Sequence, residues 1–304
     1  MILARKAEKL LRLAEAVRTL DPDIVLTTGG DSSLFPYLIQ RVKLNGVLDR
    51  FILGRDNVAF IPRAAQGRTF FSYGRTFYKP PTTRLYGRVH IDKCNTFILN
   101  EAEFEGLIEI ARTCRVPLHA ASRSSIGSSM SSSQFYQAVK DDVLIPRNKS
   151  LPEAFKSAYD LLVGDRGGFV YEPQVGIHDG IGEVDFTSMY PSLMVKNNIS
   201  AETVLCGCCP DSKLRIPELN YHICEKRTGI VPKALGLIVS KRLTYKRLRD
   251  ETQDPQLKEV YDRRQAALKW ILVTCFGYLG YKNAKFGTVD GCTSACARLA
   301  GTLS

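Results

Sequence analysis

Residues 231–250 and 256–276 are two long helical patterns separated by little more than Asp254-Pro255. Proline lacks the N–H that a helix interior needs, so it ends one helix and is accepted at the start of the next. Helices joined by so short a turn must lie antiparallel. The chain therefore has to accommodate a helical hairpin, and that hairpin is basic. Residues 226–286 hold 14 Lys/Arg against 5 Asp/Glu, which is nine of the eleven net positive charges in 304 residues. An ordinary solvated surface spreads its charge more evenly. Ribosome-associated and membrane-surface proteins also carry basic surpluses. Concentration on one hairpin points instead to a polyanionic partner, nucleic acid or nucleotide phosphate.

The rest of the chain reads as α/β. A helix over 5–20 ends at Asp21-Pro22-Asp23, a short β-branched strand follows, and Gly29-Gly30 opens a loop before a helix over 35–42. A strand over 87–92 and a helix over 102–114 come next. Eight serines in 120–134 read, taken alone, as a flexible linker. Helix is expected again over 134–141 and 152–163, then a strand over 182–186. No apolar run reaches the ~18 residues of a membrane helix, and no secretory signal is visible, so a cytoplasmic, nucleoid-associated protein is expected. Nine cysteines without an export signal do not suggest a disulfide framework.

Two groups of residues carry chemistry. Asp185-Phe-Thr-Ser-Met-Tyr-Pro-Ser192 delivers a carboxylate at the end of the expected strand, a suitable support for a hard divalent cation. The same aspartate, or Ser188, would serve equally as a helix cap. Arg242 and Lys246 are four apart and share a helix face. With Arg264 and Lys269 on the second helix they could clamp a triphosphate, Arg as a planar fork and Lys as a point charge. For either helix alone, a plain solvated face explains the charges as well.

Taken together, these segments resemble family B DNA polymerases, most of all the divergent second class of archaeal paralogues. Asp185-Phe-Thr-Ser-Met-Tyr-Pro-Ser192 resembles that family's first palm motif. Lys241-Arg-Leu-Thr-Tyr-Lys246 resembles the basic stretch of its first finger helix, and Arg264-Gln-Ala-Ala-Leu-Lys269 through Phe276-Gly277-Tyr278 its second. Gly229-Ile-Val-Pro232, Gly167-Gly168-Phe-Val-Tyr-Glu-Pro173 and Ser122-Arg-Ser-Ser125 fall in the same order and spacing. The resemblance implies an RNase H-like, degenerate exonuclease over 1–115 and a connecting helical segment over 116–165. It further implies the first part of an α+β palm over 166–228, fingers over 229–285 and a palm re-entry over 286–304.

It also implies roles. Asp185 and the Phe186 carbonyl would hold catalytic Mg²⁺, Asp185 being one of two carboxylates of a two-metal site. Arg242, Lys246 and Lys269 would bind the triphosphate of a deoxynucleotide, with Lys269 also catalytic through charge neutralisation. Tyr190 would exclude a 2′ hydroxyl, and Gly277 and Tyr278 would line the nascent base pair. Gly167, Gly168, Lys282 and Lys285 would contact primer–template DNA.

The departures from the family shape the expectation. No Tyr-x-Asp-Thr-Asp motif is present, so the chain alone is expected to be inactive and to need a second polypeptide or a continuation; a non-catalytic nucleotide or primer–template binder is the alternative. Leu34 stands where a proofreading carboxylate belongs, with Asp31 nearby, so no exonuclease activity is expected. Val273, Thr274 and Phe276 replace the usual Asn, Ser and Tyr, and Asp165 replaces a Tyr. Cys206, Cys208, Cys209 and Cys224 could bind zinc, although Cys-x-Cys-Cys is not a standard knuckle. In heat-loving archaeal relatives a disulfide occurs here, which would join Cys208 or Cys209 to Cys224. Free thiols are the third alternative.

Overall fold

The computed structural model describes residues 2–58, 67–72, 75–147, 153–164, 172–183, 185–216, 219–281 and 283–303. The chain divides into two compact units, residues 1–103 with 117–124, and residues 104–116 with 125–304.

In the first unit, α1 (Ile2–Leu20) precedes β1 (Ile24–Thr27), and a π-helical turn at Gly30–Leu34 leads into α2 (Phe35–Leu44). β2 (Arg68–Ser72) and β3 (Arg75–Lys79) form an antiparallel pair. β4 (Val89–Asp92) lies parallel to β1, with Ile24 opposite Val89 and Thr27 opposite Asp92. Ala14, Phe35, Leu38, Val42, Phe51 and Leu85 form one buried cluster beside this pair. A Cβ on Gly30 would sit 2.1 Å from Thr27 Oγ1, so only glycine lets the turn fold back on β1. There Asp92 accepts the backbone N–H groups of Gly29 and Asp31, each at 2.8 Å.

α3 (Ile98–Cys114) breaks at Glu103, whose φ of 50° and ψ of −163° are not helical. The break coincides with the point at which the chain passes from the first compact unit to the second. The reason lies in the acids of the second half of α3, described below. A short α4 (Leu118–Ala121) closes the first unit.

The second unit is mostly helical. It contains α5 (Ile126–Lys140), α6 (Ala158–Gly164), α7 (Met189–Lys196), the β5 (Arg215–Ile216) and β6 (Tyr221–His222) hairpin, α8 (Ile230–Glu251), α9 (Pro255–Leu279) and α10 (Val289–Leu303). The expected hairpin is α8 with α9, and α7 and α5 pack against both. Met130, Met194, Leu235, Ile238, Leu268 and Ile271 are fully buried at this junction.

Three segments decide between readings of the sequence. The serine run, a linker when taken alone, is helical from Ile126, in keeping with the resemblance of Ser122-Arg-Ser-Ser125 to the start of a family helix. Ser125 caps α5 by accepting from the Ser128 N–H at 3.2 Å, and the small residues let α5 approach α9 closely. A Cβ on Gly127 would lie 3.0 Å from the Tyr278 ring. Second, of the expected strand over 182–186, the described residues Gly182, Glu183, Asp185 and Phe186 are not in a strand. A strand needs a neighbour to take its ladder hydrogen bonds, and no described residue pairs with these. Third, α6 begins only at Ala158, because Glu153 and Ala154 bind the start of α10: Glu153 accepts from the Val289 and Asp290 N–H groups, and Ala154 N–H donates to Asp290. No helix among the described residues is long and apolar enough to cross a membrane.

Asp254 caps α9, accepting from Gln256 N–H at 2.8 Å and Leu257 N–H at 3.4 Å. Asp254→Ala should cost about 1 kcal/mol and lower the thermal midpoint by about 2–4 °C in differential scanning calorimetry. An unchanged midpoint would show that the turn is held by Pro255 alone.

Candidate active site

Successive residues on a helix point about 100° apart. α8 uses this to carry two polar stripes. Lys241 and Tyr245 form the first, and both reach Glu109 on α3. The buried Glu109 carboxylate accepts from Lys241 Nζ at 3.0 Å, Tyr245 Oη at 2.8 Å and Thr113 Oγ1 at 2.7 Å. One turn earlier on α3, Glu105 pairs with Arg264 of α9 at 3.3 Å. Arg264 also lies over the Tyr245 ring, 5.8 Å from its centroid. Glu109 is not among the residues that the sequence motifs single out. A lone glutamate more than 130 positions from its lysine leaves no local signal.

Arg242 and Lys246 form the second stripe, and it faces a cleft of about 480 Å³. Asp185, Thr187, Ser188 and Tyr190 line the cleft at the start of α7, and Lys269, Val273 and Phe276 line it from α9. The structure thus brings together Asp185, Tyr190, Arg242, Lys246 and Lys269. Asp185 is exposed and does not cap α7, which has no side-chain cap. Arg242 Nη1 donates to Ser188 Oγ at 2.6 Å. Its Nε is buried without a hydrogen-bond partner among the described residues. Burial, with the charge of Arg249 added, lowers the Arg242 pKa. No described carboxylate pairs with Arg242, Lys246 or Lys269, whereas Lys233, Lys241, Arg249, Arg263 and Arg264 all have acidic partners. Tyr190 stacks on Phe276, with ring centroids 4.3 Å apart and planes 23° apart. A neighbouring depression of about 500 Å³ holds Lys196 and Arg247 but no carboxylate.

Other expected residues lie elsewhere. Phe186 and Gly277 do not line the cleft, although a Cβ on Gly277 would meet nothing within 4 Å. The Tyr278 hydroxyl meets Ser131 on α5. Lys285 Nζ donates to the Arg147 carbonyl. Gly167, Gly168 and Lys282 lie outside the described residues. Asp290 accepts from Lys156 Nζ and the Ala154 N–H and is not part of the cleft.

The cleft's donor set fits a magnesium-bound nucleotide. Mg²⁺ is commonly held by one or two carboxylates together with substrate phosphates. Here one carboxylate faces three cations, so an anion bridging them would supply the remaining oxygens.

In the first unit, the Asp31 carboxylate is fully occupied. It accepts from Thr83 N–H at 2.7 Å, Asn95 Nδ2 at 2.8 Å and Arg123 Nη2 at 3.0 Å. Leu34 is exposed at the end of the π-helical turn.

Residues 89–296 match the family described as DNA polymerase family B. "DNA polymerase 2" of Saccharolobus solfataricus is 37% identical over 186 residues, covering 61% of this chain and 27% of that protein. "DNA polymerase 1" of Pyrococcus abyssi is 27% identical over a 329-residue alignment, covering 94% of this chain and 42% of that protein. The solved structure of the family B DNA polymerase from the hyperthermophilic archaeon Pyrobaculum calidifontis shares the fold, with a TM-score of 0.68 at 19% identity over 97% of this chain and 44% of that one. The chain spans less than half the length of these relatives.

Burial pushes the Glu109 pKa up, but hydrogen bonds from Thr113, Lys241 and Tyr245, with the Lys241 charge, hold it below the ordinary carboxylate range. Its stabilisation is therefore complete above about pH 4.3, the unperturbed glutamate value, and is lost as pH falls through the folded-state value. Glu109→Gln should destabilise the protein at neutral pH and flatten the acid limb of stability in urea titrations. An unchanged acid limb would mean that other carboxylates set it.

Proposed function

This chain belongs to DNA polymerase family B, and on that premise we propose that it supplies the nucleotide-binding half of a DNA-directed DNA polymerase site. The reaction is templated transfer of a deoxynucleoside monophosphate to a primer 3′ end. One observation carries the reading: a single cleft holds the exposed Asp185 carboxylate together with Arg242, Lys246 and Lys269, three cations without a described acidic partner. Such a set is electrostatically incomplete until an anion of high charge enters.

In this reading α8 and α9 are the fingers and the segment around α7 is the first part of the palm. Arg242, with its planar fork already oriented by Ser188, grips phosphate oxygens. Lys246 and Lys269 neutralise charge on the triphosphate as the leaving pyrophosphate forms. Asp185 would hold Mg²⁺ on its carboxylate, and the ion would supply charge stabilisation for the displacement at the α-phosphate. Tyr190, pressed against Phe276, forms the floor under the sugar and rejects a 2′ hydroxyl by steric contact. Primer–template DNA is contacted from Gly167, Gly168, Tyr278, Lys282 and Lys285. The first unit is a degenerate exonuclease without proofreading activity, since Asp31 is consumed by Arg123, Asn95 and Thr83 and Leu34 offers no ligand.

Asp185 is the only carboxylate among the described residues that line the cleft. That favours one second reading, a nucleotide or primer–template binder that performs no chemistry. Two measurements separate the readings. Lys269→Met should weaken deoxynucleoside triphosphate binding by about 10-fold or more in calorimetry under either one. Asp185→Ala should abolish primer extension by the chain supplemented with a polypeptide carrying an Asp-Thr-Asp palm segment. Extension that survives Asp185→Ala would overturn the catalytic assignment, and triphosphate binding that survives Lys269→Met would overturn both.

A further inference from the structure

Four cysteines between α7 and α8 play no part in the cleft, yet their sulfurs converge. All four Sγ atoms of Cys206, Cys208, Cys209 and Cys224 lie within 4.8 Å of one another. Cys208 is 3.6 Å from Cys209 and 3.6 Å from Cys224, and Cys209 is 3.7 Å from Cys224. These are not disulfides, whose sulfurs are about 2.05 Å apart, and all nine cysteines of the chain are free thiols. They match a different geometry. A tetrahedral ion about 2.3 Å from each of four thiolates sets an S···S edge of about 3.8 Å.

The backbone supports the same arrangement. Cys206 and Cys209 are spaced Cys-x₂-Cys, a spacing that the Cys-x-Cys-Cys reading of the sequence obscured. The Cys209 N–H points at Cys206 Sγ, and the Lys226 and Arg227 N–H groups point at Cys224 Sγ. Such donors fix ligand sulfurs and stabilise their negative charge. Four thiolates around a divalent ion leave two excess negative charges. Cations stand close by: Lys226 Nζ donates to the Cys208 carbonyl at 2.9 Å, and Arg227 donates to the Glu202 carbonyl at 3.0 Å. Cys206, Cys209 and Cys224 are buried, and Cys208 is exposed, which leaves an entry path.

We propose that Cys206, Cys208, Cys209 and Cys224 form a closed tetrathiolate site for a structural zinc ion. Four sulfur ligands favour zinc over magnesium or calcium and leave no open position for catalysis. The site does not depend on the polymerase reading of the cleft. Its structural consequence is local. The segment just ahead of the cysteines, tied to them where Asn198 Nδ2 donates to the Cys224 carbonyl at 3.0 Å, places three acceptors at the N-terminus of α8: Asn198 Oδ1 takes the Gly229 N–H at 2.8 Å, Glu202 Oε1 the Ile230 N–H at 2.5 Å and Ser200 Oγ the Val231 N–H at 3.3 Å. Zinc would tie 206–209 to 224 and so hold this cap in place.

The full chain, expressed with zinc and purified under reducing conditions, should carry about one zinc per chain by elemental analysis. A mercurial thiol reagent should release that zinc to a chromogenic chelator in step with loss of the cysteine sulfurs. Cys209→Ser and Cys224→Ser should each lower the zinc content severalfold, and Cys94→Ser should not. Cobalt loaded in its place should show the intense visible absorption of a tetrahedral thiolate complex. A folded chain that holds no stoichiometric zinc, holds iron instead, or shows a Cys–Cys cross-link among these residues would overturn the proposal. The wild-type zinc content and its release decide the matter even if the serine variants do not fold.

Discussion

The buried carboxylate of Glu109 fixes the rotation of α8 about its own axis. Its side chain is 1% exposed, and it can be accommodated only because Lys241, Tyr245 and Thr113 satisfy it. Removing a partner would leave a buried charge uncompensated, at less than the ~3–5 kcal/mol typical of a fully buried pair, because the Lys241 side chain is 35% exposed. With Lys241 and Tyr245 anchored on α3, the stripe about 100° away, Arg242 and Lys246, has one place to go. It faces Asp185. The Glu105–Arg264 pair does the same for α9, which brings Lys269 to the opposite wall. Neutralising some of the cations on α3 is what leaves the others free.

The far end of α8 is held by a different device. Its first N–H groups are taken by Asn198, Ser200 and Glu202, and the Glu202 carboxylate also complements the positive end of the helix dipole. No acid lies in the first turn of α8 itself. The helix that carries the cleft cations is thus fixed in rotation by α3 and in position by the capping segment 198–202. A residue reaching a phosphate must be held to within about 0.5 Å for productive geometry, and two independent anchors serve that end.

Much of this was legible in the sequence, for reasons tied to particular residues. The hairpin was readable because Asp254-Pro255 is both a stop and a start. Arg242 and Lys246 were readable as one face because helical spacing is local. The family pattern pointed to Asp185, Tyr190 and Lys269 together, and the cleft brings them together. What was missed depends on tertiary context. Residues around Asp185 have β-propensity, but propensity without a pairing strand leaves extended chain. Glu109 carried no local mark at all. The cysteine geometry was hidden because a Cys-x₂-Cys pair overlaps a Cys-Cys pair and its fourth member arrives from the far side of a hairpin.

The proposed function requires Asp185, Arg242, Lys246 and Lys269 to grasp one nucleotide. A crystal structure of this chain with a non-hydrolysable deoxynucleoside triphosphate and Mg²⁺ tests it most directly. Phosphate oxygens are expected within hydrogen-bond distance of Arg242, Lys246 and Lys269, with the metal on the Asp185 carboxylate and Lys241 still bound to Glu109. A triphosphate bound outside the cleft, or one that draws Lys241 away from Glu109 while Arg242 stays empty-handed, would contradict it.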